Sequence, residues 1–94
     1  MRKNSQIIEQ QVDNELLIIP IIDGVAQMKQ VCCLSESGAV IWELMSYQKD
    51  ITEDELIESV ALHYQISPVT IREDVLDFID MMIDQKIVIR EEIK

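Results

Sequence analysis

The 94-residue chain sets 18 Asp/Glu against 8 Lys/Arg, a formal charge of −10, and 48 % of its residues are apolar. That length suits one domain, and so apolar a composition with only 2 Gly and 2 Pro is not that of a disordered chain. The charge disfavours nucleic-acid binding, which neutralises phosphates with Lys and Arg.

In chain order, Ile7–Val12 is the first expected strand, closed by the turn pair Asp13-Asn14. Leu16–Ile22 follows, apolar on both alternations, as expected of a strand covered on both faces. Asp23-Gly24 is a hairpin signal, since both residues tolerate positive φ. Val25–Cys33 then returns as a third strand with a polar centre, Gln27-Met28-Lys29-Gln30, that suits a sheet edge. Ser35 is placed to cap a helix Glu36–Tyr47 with Gly38, Ile41, Trp42 and Met45 on one stripe. Thr52 and Glu55 form a capping-box pair for a second helix, Glu53–Tyr64, burying Leu56, Ile57, Val60, Ala61 and Tyr64. Ser67-Pro68 opens a third helix that runs to about Lys86, and Ile87–Ile89 is a short closing strand. The expected fold class is α+β: a three-stranded antiparallel meander (about residues 6–33), then three helices (about 35–86), in one domain over 1–94.

At 100° per residue the third helix carries an apolar arc of about 180°, from Ile71, Val75, Phe78, Ile79 and Met82 out to Val69, Leu76 and Ile83. That is wider than packing on one core requires. One flank, Val69, Leu76 and Ile83, is free to line a groove for a partner. The charge is concentrated too. From Asp50 to Asp84 there are ten acidic residues and one base, Arg72, a net −9. Such a face steers basic partners and discourages anionic ones.

Signs of catalysis are absent. His63 is the lone histidine, and no Cys-x-x-Cys or His-x-x-x-His spacing exists to hold a metal. Cys32 and Cys33 point to opposite faces of a strand, and adjacent Cα atoms, about 3.8 Å apart, are too close for a relaxed disulfide. No catalytic residue, metal or cofactor is expected. No run reaches the ~18–20 apolar residues of a membrane span, and no apolar segment follows Arg2-Lys3 to make a secretory signal. A cytoplasmic protein without membrane association is expected.

Three stretches together resemble the PqqD-like family, named for pyrroloquinoline quinone biosynthesis protein D. They are Leu34-Ser35-Glu36-Ser37-Gly38-Ala39-Val40-Ile41-Trp42-Glu43-Leu44-Met45, Ile51–Ile57 with Tyr64, and Ile71-Arg72-Glu73-Asp74-Val75-Leu76-Asp77-Phe78-Ile79. Ser35 replaces the family's usual Asn, and Lys86 stands where a Gly commonly ends the last helix. The resemblance implies a winged-helix-like RiPP recognition element. Such a domain binds the leader of a ribosomally made precursor peptide and presents it to a modifying enzyme, often a radical SAM maturase, with no catalysis of its own. The leader adds as a strand along the third strand, in the cleft facing the third helix. Carried onto this chain, that implies a strand edge of Ala26, Gln27, Met28, Lys29, Gln30, Val31 and Cys32. The helix flank would be Val69, Leu76 and Ile83, with Arg72 pairing an acidic leader residue. The alternatives are a winged-helix DNA-binding or transcriptional accessory module, which the charge opposes, and a structural subunit that forms a homodimer through the same open edge.

Overall fold

The computed structural model describes residues 1–90, and its elements make an α+β fold. β1 (Arg2–Lys3) is followed by β2 (Ile7–Val12) and β3 (Glu15–Ile22), which pair antiparallel through a turn holding Asp13 at φ 52°. A second hairpin turns through Asp23 (φ 53°) and Gly24 (φ 78°), two successive left-handed residues whose twist matches that of the strands, into β4 (Val25–Ala26).

The third strand is not continuous from Val25 to Cys33. After β4 the chain coils into a 3₁₀ turn, Met28–Gln30, and rejoins β3 as β5 (Cys32–Leu34). Continuing the β4 register, in which Ala26 faces Ile21, would set Lys29 opposite Ile18. Cys32 stands there instead, three residues later. Pro20 fixes where the break falls. The Gln27 N–H donates to the Pro20 carbonyl at 2.8 Å, but proline has no N–H with which to return the rung. The strand peels away at that point. Toward β2 the same proline costs nothing. Ile21 N–H donates to the Gln6 carbonyl, so by antiparallel alternation the neighbouring pair Ile7 and Pro20 exchanges no bond.

Three helices follow: α1 (Glu36–Glu43), α2 (Glu53–Tyr64) and α3 (Pro68–Asp84). The capping box at α2 is complete, with Glu55 N–H to Thr52 Oγ1 and Thr52 N–H to Glu55 Oε1, both at 3.1 Å. Ser35 and Ser67 occupy their N-cap positions without making a side-chain capping bond. α1 ends four residues before the expected Tyr47. The Ser46 hydroxyl takes the N–H groups of Gln48 and Lys49, and its carbonyl is claimed by Lys3 N–H at 2.7 Å. That last bond anchors the N-terminal strand beside the end of α1. β1 pairs with β6 (Val88–Ile89), tying the two ends of the described chain into a second small sheet.

The helices pack on one face of the main sheet, around Ile18, Leu34, Trp42, Leu56, Ile57, Val75, Ile79, Met82 and Ile87, all essentially inaccessible. β3 is therefore covered as expected on its Leu16–Ile18 face. On the other face Ile19 is buried, but Leu17 and Ile21 stay half-buried. Tyr64, expected in the core, is exposed and sets its ring edge-on to His63.

Candidate functional site

Alternation along β3 decides which main-chain groups of the sheet are open. Leu16 and Ile18 turn their N–H and C=O, and Pro20 its C=O, toward the third strand, so Ile18 pairs by hydrogen bonds with Cys32 and Leu16 with Leu34. Cys33, between them, turns its N–H and C=O outward, away from β3. An incoming strand would find its rung there and at the flanking Val31, whose extended ψ of 131° ends the 3₁₀ turn. The side chains separate likewise. Cys32 is buried on the helix side and Cys33 is exposed. Burial pushes the Cys32 thiol up, helped by neighbouring Cys33, which makes it a poor nucleophile.

The element across from this edge is α3. Met81 Sδ lies 3.8 Å from Cys32 Sγ, and one turn back the Phe78 ring lies over Gly38 at the start of α1. A Cβ on Gly38 would stand 3.0 Å from Phe78 Cε2, so the glycine is what lets α3 approach α1 this closely. Between α1, α2 and α3 lies a cavity of about 370 Å³ lined by Ser35, Gly38, Tyr64, Ile71, Asp74 and Phe78. On α3, Met81 meets β5, while Phe78, Ile71 and Asp74 line the neighbouring cavity between the helices.

The expected flank does not share that surface. Around the helix Leu76 lies about 140° from Met81, and Val69 and Ile83 group with Leu76. Arg72, on the same side as Leu76, is engaged with Asp54 of α2 at 3.0 Å. Leu76 and Ile83 are half-buried against the core, and Val69 is 86 % exposed near the α2–α3 turn. Along the expected edge, Met28, Lys29 and Gln30 sit in the 3₁₀ turn and Ala26 in β4, with Gln27 between them. The structure therefore brings β5 together with Phe78 and Met81, and does not bring Ala26–Cys32 together with Val69, Arg72, Leu76 and Ile83 along one ladder. The sequence carries a signal for Met81. Met81 is an apolar residue isolated among Asp74, Asp77 and Asp84 on the acidic side of α3.

A family model for Coenzyme PQQ synthesis protein D (PqqD) matches residues 26–88, a span that runs from the end of β4 through β5 and all three helices. The chain belongs to the PqqD family. A comparison with curated proteins finds no match. Among solved structures, "TbiB1 in Complex with the TbiA(beta) Leader Peptide" superposes with a TM-score of 0.72 at 16 % identity, covering 99 % of this chain and 100 % of that one. At that identity the likeness establishes the shared fold.

This PqqD-family chain carries one further polar cluster, away from the cleft. The Glu9 carboxylate, on the helix side of β2, accepts hydrogen bonds from Trp42 Nε1 and the Tyr47 hydroxyl. The buried Lys3 ammonium lies over both rings, 4.6 Å from the Trp42 centroid and 5.2 Å from that of Tyr47. Burial alone would raise the Glu9 pKa, but the two hydrogen bonds and the Lys3 charge outweigh it and leave it lowered. Burial and the same carboxylate push the Tyr47 hydroxyl well above its ordinary range. This cluster locks the N-terminal strands to α1. Among the described residues no group of three or more His, Cys, Asp or Glu is arranged to hold a metal, and no helix is long and apolar enough to cross a membrane.

Proposed function

We propose that the chain, read as one domain over 1–94, is a RiPP recognition element: a cytoplasmic, non-catalytic adaptor. It binds the leader of a ribosomally made precursor by strand addition and presents it to a modifying enzyme such as a radical SAM maturase. Membership in the PqqD family and the fold shared with a protein solved with a leader peptide support this reading. The observation that carries it is the outward-facing main chain at Cys33, set beside the α3 surface of Phe78 and Met81. Main-chain rungs at Val31 and Cys33 would fix the leader's direction. Apolar leader side chains would pack on Phe78, Met81 and Ile71, and Asp74 would meet a basic one. With the third strand split, the ladder is short. Side-chain pockets then carry more of the affinity than main-chain pairing does.

The test is calorimetric titration with the leader segment of a precursor encoded beside the gene. Cys33→Pro removes an outward donor that the fold does not use, so circular dichroism is expected to stay native while binding weakens at least tenfold, about 1.4 kcal/mol. Val69→Asp, on the opposite flank, is expected to leave binding unchanged. Loss of affinity in Val69→Asp with full affinity in Cys33→Pro would return the cleft to the Val69–Leu76–Ile83 side.

A further inference from the structure

A second open edge lies across the sheet from the leader cleft. Among the described residues β2 pairs with β3 alone, and by the same alternation Ile7, Glu9 and Gln11 turn their N–H and C=O groups outward. Edges are ordinarily guarded by lysine, proline, a bulge or an inward-pointing charge. β2, Ile-Ile-Glu-Gln-Gln-Val, has neither lysine nor proline and pairs with β3 in unbroken register. Its one inward charge, Glu9, is held by Trp42 and Tyr47. At the hairpin end of this edge, where Gln11 is the β2 residue that lines it, lies a groove of about 710 Å³ bounded also by Asp13 and Asn14 of the turn, by α1 and by His63 of α2. Its floor is the outer face of α1, Ala39, Val40 and Leu44, with Glu36 and Glu43 two turns apart at its ends. Among the described residues no lysine or arginine lines it.

We propose that this groove docks an extended, basic segment of a partner protein, which adds to β2 as an outer strand while the β5 edge stays free. The chemistry follows from spacing. Glu36 and Glu43 stand roughly 10 Å apart along the helix, and side chains on one face of a strand recur about every 7 Å. Lysines or arginines at alternate positions of an added strand therefore reach the two carboxylates, with Asp13 at the hairpin tip available to a third. Their aliphatic stems cover Ala39 and Val40. An acidic or neutral strand would have the same main-chain partners but would leave the carboxylates unmatched, so charge selects the occupant.

The test uses ¹⁵N-labelled protein titrated with a short peptide alternating Lys and Thr. Saturable shifts are expected at the amides of Ile7, Glu9 and Gln11 and along Glu36–Glu43, with Val31–Leu34 unmoved. The doubly substituted Glu36→Gln/Glu43→Gln protein, altered only at exposed positions, is expected to bind roughly tenfold more weakly, the weight of two exposed charge pairs. A peptide N-methylated at alternate residues is expected to lose most of its affinity. Three results would each overturn the proposal: no saturable shift, equal binding of the N-methylated peptide, or shifts confined to Val31–Leu34. None bears on leader binding at β5, which is measured separately with the leader segment.

Discussion

Glu9 sits on an edge strand yet turns inward, and its value to the fold depends on staying ionised. Its folded pKa lies below the ordinary 4.5, so its contribution is present above that value and is lost as pH falls through the folded pKa. Exposure discounts the two charge-assisted bonds from Trp42 and Tyr47 to about 1 kcal/mol together. Glu9→Gln is therefore expected to destabilise by about that amount at neutral pH. The gap between wild type and variant should close as pH falls below 4.5 in urea unfolding curves. A gap that persists at low pH would mean that shape, not charge, is what the variant lost. The sequence placed Trp42 on one stripe of α1 with Gly38, Ile41 and Met45 but held no sign of this partner, because Glu9 and Trp42 are joined only when β2 lies across α1.

At the scale of elements, α2 and α3 end by the same device. Ile66 N–H reaches the Ala61 carbonyl and Ile87 N–H reaches the Met82 carbonyl, each 3.0 Å, after a left-handed residue: Gln65 at φ 56° and Lys86 at φ 64°. Lys86 thus performs the turn that the family commonly gives to glycine. Lys86→Gly is expected to raise stability by about 0.5–1 kcal/mol, read as a shift in thermal midpoint, and Lys86→Ala to give no such gain. The third strand has a similar local cause. In Pro20→Val the amide at position 20 faces the Gln27 carbonyl, so hydrogen-exchange NMR should find that amide protected. Rapid exchange there would remove proline as the reason for the split. Strand β2, the span of α2 and the start of α3 were legible in the sequence, since each is set by local periodicity and caps. The break in strand three was not. Pro20 is visible in the sequence, but its effect falls on a partner seven residues away.

For the whole molecule, a net −8 lies on α2 and α3, the elements that would have to enter a DNA groove. Mixed duplexes at low salt are therefore expected to show no tight, salt-sensitive mobility shift, and one that appeared would favour the DNA-binding alternative over the adaptor. By itself the sequence determined the element order, the α+β class, most of the core and the family resemblance, because those depend on spacing along one chain. Tertiary structure decided which surfaces meet. Both flanks of α3 are apolar, Leu76 with Ile83 on one side and Phe78 with Ile71 on the other, so periodicity could not say which would face the sheet. Packing chose the Phe78 side, where Gly38 offers no side chain and Cys32 receives Met81. Helix rotation against a sheet is set by contacts between residues some forty to fifty positions apart, and no local pattern encodes it.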